Sequence, residues 1–210
     1  MARPKGSGGQ AAALTKEQIG LVADELARDP EHGERNRTIW LLGVLTACRV
    51  SEVLELRVQD VWACGNYAHT GPLSQVFLDS TRTKTRTSCT IPLCRVARDL
   101  IVRWMLRRGP VAPGDFLFPG RYPGNPLSYD AFREALVEAR ERLGLVRVRT
   151  HSMRRTSATL AYAKDRDIRK LQKKLRHKSL SATGSYVEVT DREMAEHADL
   201  LGDDLAEIAS

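Results

Sequence analysis

Apolar residues recur at helical intervals along most of this chain. The run LTKEQIGLVADELARD has Thr15 placed as an N-cap and Gln18 in the capping-box position, so a helix starts there. NRTIWLLGVLTA, residues 36–47, predicts a second helix, nearly all apolar along one side. CRVSEVLEL reads as a turn followed by a short helical run. Two stretches break the helical period. SQVFLDS and TSCTIPL are rich in valine, threonine and isoleucine and read as strands. The basic link TRTKTR joins them, which predicts a hairpin with a cationic tip. CRVARDLIVRWMLRRG returns to the helical period, with Val96, Leu100, Ile101, Trp104 and Met105 as its apolar stripe. A proline- and glycine-dense loop follows. A helix over about 128–143 should then face Phe132, Leu136, Ala139 and Leu143 inward, and THSMRRTSATLAYAK and DIRKLQKKLRH predict two more helices. No internal repeat and no interdomain linker is visible. The pattern is that of one mainly helical α+β domain with a small antiparallel sheet.

Composition adds a partner. The 210 residues carry a net charge of +7, and a basic surplus favours a polyanion, usually nucleic acid. The charge is unevenly placed. Seven acids and one arginine give residues 191–210 a charge of −6, which leaves about +13 on the rest of the chain. Within that acidic segment Met194, Ala198, Leu201, Leu205 and Ile208 recur at intervals of 4, 3, 4 and 3, so a helix there has one apolar face and one acidic face. The first 13 residues read as a flexible basic arm without the apolar core of a secretory signal. No stretch of about 18 apolar residues predicts a membrane span. Cys48, Cys64, Cys89 and Cys94 form no CxxC pair and stand at no zinc-finger spacing from histidine, so no structural metal is expected.

The candidate chemistry lies in four short segments. TACRVSEVL holds Arg49, with Glu52 three residues on; TRTKTRTSCTIPL holds Lys84. THSMRRTSATLAYA holds His151 and Arg154, a spacing that puts both on one face of a helix. LRHKSLSATGSYV holds His177 and, nine residues later, Tyr186. A tyrosine that attacks a phosphodiester is a weak nucleophile, with a pKa near 10. It needs the phosphate held in line and the charge on its oxygens stabilised. Arginine forks do the first, histidines donate to oxygens or move protons, and a lysine protonates the leaving oxygen. No metal and no cofactor is required. Each residue also has a plainer reading: Tyr186 as a packing tyrosine, Glu52 as a surface carboxylate, and His177 as a cap on the preceding helix. Arg82 and Arg86 beside Lys84 read as phosphate-binding, and Lys170, Lys173, Lys174 and Arg176 as a basic face that contacts a nucleic-acid backbone.

In this order and at these offsets, the segments resemble the tyrosine recombinase (phage integrase) family. CRVSE resembles its A-R-[IV]-S-E box, HSMRRTSA its second box, and LRHKSLSAT with the following tyrosine its third. Lys84 precedes Pro92 by the interval of the family's hairpin lysine. The resemblance covers about residues 14–190 and implies the family's catalytic-domain fold. It implies that Arg49 and Arg154 clamp the scissile phosphate and that His151 and His177 hydrogen-bond to it and shuttle protons. Lys84 would protonate the 5′-oxygen, Tyr186 would form a 3′-phosphotyrosyl bond, and Glu52 would orient Arg49. Strand exchange would then need neither ATP nor metal.

The layout resembles the short recombinases that invert fimbrial promoter switches. The implied partners are double-stranded DNA, further copies of the chain in a dimeric or tetrameric synapse, and accessory DNA-bending proteins, in the cytoplasm of a prokaryote and at its nucleoid. Residues 191–210 would dock on their own domain or on a neighbouring subunit. Two other activities fit the same residues: a type IB topoisomerase-like nicking–closing enzyme, and a non-catalytic DNA-binding regulator. Two departures stand out. Arg176 and Cys48 occupy positions where the family commonly has glycine, and glycine alone tolerates positive φ freely.

Overall fold

The computed structural model describes residues 11–63, 71–83 and 86–184. Helix α1 (Lys16–Ala27) starts at the expected place, with Thr15 and Gln18 forming a reciprocal capping box. Helix α2 (Gly33–Thr46) begins three residues earlier than its apolar pattern suggests. It is also buried around most of its circumference, Asn36, Thr38 and Thr46 included, because it is the central helix on which the others pack. The Trp40 indole lies within it, fully buried, and donates to the Ile19 carbonyl of α1 at 3.2 Å.

Short helices α3 (Val50–Leu54) and α4 (Val58–Val61) follow. Strands β1 (Trp62–Ala63) and β2 (Gly71–Pro72) make a two-stranded pair that the sequence pattern misses, since two-residue strands carry no alternation to read. Strands β3 (Gln75–Leu78) and β4 (Cys89–Pro92) are the expected hairpin, antiparallel, with Val76 opposite Ile91 and both side chains in the core. Thr83 closes its connection: its hydroxyl donates to the Thr87 carbonyl at 3.0 Å and accepts from the Thr87 amide at 3.1 Å.

Helix α5 (Arg95–Arg108) buries Ala97, Leu100, Ile101 and Trp104. Val96, expected in that stripe, is exposed and Ala97 takes its place. The intervals 97, 100, 101 and 104 follow one helix face more closely than a stripe begun at 96. The proline- and glycine-rich segment 109–128 is a loop, as its composition suggests, but Leu117 and Phe118 inside it are completely buried. Trp104 anchors them, with its indole donating to the Leu117 carbonyl at 2.8 Å and its ring 5.8 Å from that of Phe118. Helix α6 (Tyr129–Arg142) is capped by Ser128 and buries Phe132, Leu136 and Ala139 as expected, with Leu143 packed partly buried against the core.

Helices α7 (Thr150–Asp165), α8 (Ile168–Leu175) and the short α9 (Leu180–Gly184) complete the described chain. α7 packs directly on α2 and α8 packs on α7. The fold is mainly helical with small antiparallel sheets, as the apolar pattern predicts. Among the described residues no helix is long and apolar enough to cross a membrane.

The α2–α7 contact is close because Gly43 has no side chain: a Cβ built there would lie 2.5 Å from the Met153 sulfur. Gly43→Val should therefore destabilise the protein by about 1–3 kcal/mol through overpacking. Gly20, inside α1, has no atom within 4 Å of its would-be Cβ. Gly20→Ala should stabilise by about 0.5–1 kcal/mol through helix propensity. Urea midpoints for the two variants should move in opposite directions; a shift of the same sign would contradict this packing.

Candidate active site

Helix α7 carries His151 in its first turn and Arg154 one turn later. Arg154 is 1% exposed. Its Nη1 donates to the Ala47 carbonyl at 2.7 Å, and its Nη2 donates to the Leu175 carbonyl. Both acceptors lie at helix C-termini, where unpaired carbonyls carry partial negative charge. Ala47 caps α2 in the left-handed region at φ 55°, and Arg176, next after Leu175, caps α8 at the same φ. The residues that follow these caps are Cys48–Arg49 and His177. One buried guanidinium thus fixes the two chain reversals that present the other site residues. Of the two departures from glycine, Arg176 does adopt a positive φ. Cys48 does not, because Ala47 takes the left-handed position before it.

Glu52 is 3% exposed, so it is not a surface carboxylate. Its Oε2 accepts from the Arg49 backbone amide at 2.9 Å and its Oε1 from Arg49 Nη1 at 2.9 Å. Arg176 Nη2 approaches Oε2 at 2.6 Å. Arg176 therefore leaves the basic outer face that its neighbours suggest: its side chain is only 11% exposed and turns inward onto Glu52. A carboxylate held out of water draws in cations, and Arg176 joins Arg49 on it. Cys48 is buried beside this pair, and burial pushes its thiol up, against Arg176 and a Thr46 hydrogen bond that pull it down. It is an inert thiol at neutral pH.

The two histidines sense the same cations. His151 is held below its ordinary value by burial and by Arg154, Arg49 and Arg155. His177 is pushed down to about 4, by burial first and then by Arg154, Arg49, Arg176 and His151. Both are neutral at pH 7. His177 Nδ1 lies 3.1 Å from the Thr183 hydroxyl of α9, and that hydroxyl donates to the Ser179 carbonyl at 3.4 Å. Thr183 is fully buried and orients the ring. Sequence reasoning gave it no role, although it stands in the same segment as His177.

The structure thus brings Arg49, Glu52, His151, Arg154, Arg176 and His177 together. Lys84 and Tyr186 lie outside the described residues, as do Cys64 and the acidic segment 191–210. Arg82 does not join the outward basic set, since its Nη2 is spent on Asp60 at 2.8 Å and on the Glu55 carbonyl at 2.6 Å. Arg86 is exposed with φ 51°. Lys170, Lys173 and Lys174 are exposed on α8, with Lys170 Nζ 3.3 Å from Asp165 and 3.7 Å from Asp167. Among the described residues the site is a set of fixed cations and two neutral imidazoles, with Glu52 as its acid. Such a set favours an anion with several oxygens, and its donors are oriented before that anion arrives.

Residues 12–193 match the Phage integrase family. The chain is 30% identical to "Tyrosine recombinase XerA" of Pyrococcus furiosus over 192 residues, covering 90% of this chain and 62% of that protein. It is 29% identical to "Tyrosine recombinase XerC" of Halalkalibacterium halodurans over 197 residues, covering 89% of this chain and 61% of that protein. Against "Transposase A from transposon Tn554" of Staphylococcus aureus it is 26% identical and covers 79% of this chain and 47% of that protein. The chain spans about half to two thirds of the length of these relatives. Among solved structures, the XerH site-specific recombinase in a post-cleavage complex with its palindromic difH substrate superposes with a TM-score of 0.71. It is 22% identical and covers 93% of this chain and 54% of that one, a likeness of fold.

The depressed His177 has a measurable consequence. In the unfolded chain its pKa is about 6.5. As pH falls below that value the unfolded state takes up the proton first, so His177 subtracts stability progressively between pH 6.5 and about 4, and no more below. In His177→Asn, stability measured by denaturant midpoint should fall less steeply than in the parent across that window. Parallel curves would mean that His177 is not held neutral.

Proposed function

Because the chain belongs to the phage integrase family, we propose that it is a site-specific recombinase that cuts and rejoins double-stranded DNA. The observation that carries this reading is the convergence of Arg49, Arg154, His151 and His177, drawn from three separate helix ends, into one cationic site whose imidazoles are neutral.

In the proposed reaction the scissile phosphate sits among these groups. Arg49 holds its non-bridging oxygens, and Arg154, whose Nη1 and Nη2 also donate to the Ala47 and Leu175 carbonyls, adds its charge from beneath to oppose the charge that grows on them. The Tyr186 phenol oxygen attacks phosphorus, and the bond from phosphorus to the 5′-oxygen breaks. The phenol proton passes to a neutral histidine, and Lys84 gives a proton to the departing 5′-oxygen. The product is a 3′-phosphotyrosyl ester and a free 5′-hydroxyl. Because the ester conserves the energy of the phosphodiester, a 5′-hydroxyl from another strand can reverse the step on a new partner. A histidine with a pKa of about 4, held down by burial and then by the arginines, is a weak base, but a bound phosphate anion opposes the arginines' share and raises its basicity. DNA binding should therefore be coupled to proton uptake at the site.

The exposed lysines of α8 and Arg86 are proposed as contacts to the DNA backbone, where they add affinity without sequence preference. A groove of about 400 Å³ is lined by Leu45, Ile91, Pro92, Ala161 and Leu171, with Lys170, Lys173 and Lys174 beside them. Its apolar floor and its flank, where three lysines outnumber Asp165, would suit the apolar and acidic positions that alternate in the sequence of residues 191–208. We assign that segment, from a second copy of the chain, as its occupant in a synapse.

Covalent trapping on a nicked duplex whose cleaved fragment diffuses away tests the chemistry. The intact chain should form a denaturant-resistant adduct, and Tyr186→Phe should form none while still binding DNA. Arg49→Ala should cut at least about 100-fold more slowly, the scale of losing one transition-state donor. Lys84→Ala should be restored by a substrate with sulfur at the 5′-bridging position, since a thiolate leaves without a proton. Adduct from Tyr186→Phe, or rescue of Arg86→Ala in place of Lys84→Ala, would overturn the respective assignment.

The tail assignment has its own measurement, gel mobility on one-site and two-site DNA. Removal of residues 191–210 should leave single-site binding intact and abolish the paired complex. Normal pairing by the shortened chain would reject docking between copies, and loss of its fold would place the segment in its own core.

A further inference from the structure

We infer that Arg176 is a positioning residue for Arg49, acting through the buried carboxylate of Glu52. The rate readout below rests on the recombinase reading; the spectroscopic one does not.

The Oε1 of Glu52 takes one donor, Arg49 Nη1 at 2.9 Å. Its Oε2 takes two, the Arg49 amide at 2.9 Å and Arg176 Nη2 at 2.6 Å. Arg176 therefore occupies the oxygen that Arg49 would need for a two-pronged pair. A guanidinium alone with a buried carboxylate prefers the parallel fork, two N–H donors on two oxygens. That fork would turn Arg49 into the protein and spend two of its donors there. With Arg176 on Oε2, Arg49 binds the carboxylate through one Nη, and the two cations share the Glu52 charge. Arg49 keeps both its charge and its remaining donors for an anion outside.

The backbone supports a dedicated role. Arg176 sits at φ 55°, ψ 41° as the cap of α8, a conformation that glycine adopts without strain and arginine does not. Its amide donates to the Lys173 carbonyl at 3.1 Å, which fixes the cap, and the side chain leaves that cap directly toward Glu52. The contact spans 124 residues of sequence and joins the α8 end, where His177 follows, to the start of α3, where Arg49 stands. The two ends of the site are thereby set against each other by one ion pair.

The test uses the full chain carrying Arg176→Gly, which suits the left-handed cap and leaves a space of guanidinium shape beside Glu52. At saturating DNA, single-turnover cleavage should fall roughly 10–100-fold, the scale of removing a partner that orients a charged group. The DNA dissociation constant should change less than about threefold. Guanidinium ion at millimolar concentration should restore much of the rate, where sodium at equal ionic strength does not. The double variant Arg176→Gly with Glu52→Gln should show no such rescue. Side-chain nitrogen NMR of Arg49, without DNA, should show its guanidinium resonances shifted in Arg176→Gly and returned by guanidinium ion. An Arg49 signal unmoved in a folded variant, or a cleavage rate within twofold of the parent, would overturn the inference. A shifted and rescued Arg49 signal in a protein whose parent forms no DNA adduct would uphold it and defeat the recombinase reading instead.

Discussion

The site depends on the Arg154 guanidinium, a full positive charge placed in the interior. Burying a cation costs several kcal/mol unless its donors are met. Here they are met by carbonyls at the ends of α2 and α8, which have no helical partners of their own and would otherwise be orphaned. Each side satisfies the other. The cation also determines geometry: α2 and α8 must end where Arg154 can reach them, and the residues that follow those ends are the ones that face the site.

A cluster of arginines and histidines is unstable by self-repulsion, and the protein limits that in two ways. Glu52 lies buried between Arg49 and Arg176, so two cations share one acid and the pair keeps a surplus positive charge. The histidines give up their protons, His177 down to about 4. The surplus that remains is what an incoming phosphate would neutralise. The cost of holding the site without an anion and the affinity for an anion are two aspects of one electrostatic arrangement.

Not every cation near the site serves it. Arg82 stands in the basic hairpin link, yet it is drawn back to Asp60 and the Glu55 carbonyl, where it fastens the hairpin to the end of α3 and to α4. Lys170 is shared between Asp165 and Asp167 at the start of α8. Charge counted along the sequence overstates what is presented outward, because acids distant or adjacent in sequence claim part of it.

What the sequence determines by itself is set by short range. Thr15 and Gln18 start α1, Ser128 starts α6, and the valine- and threonine-rich runs make the β3–β4 hairpin, because capping, helical period and strand alternation act within a few residues. Arg49, His151, Arg154 and His177 could be picked out for a different reason: the offsets within their segments resemble the boxes of a known family, and it was that resemblance, more than any local rule, that grouped them. Tertiary structure decided the rest. Val96 or Ala97, the burial of Leu117 and Phe118 in a loop, and the inward turn of Arg176 onto Glu52 all hang on neighbours brought from elsewhere in the chain. Glu52 and Arg176 are 124 residues apart, and no local pattern marks either as the other's partner. Only the folded chain places that carboxylate out of water, where its charge must be met, and so decides which arginine meets it.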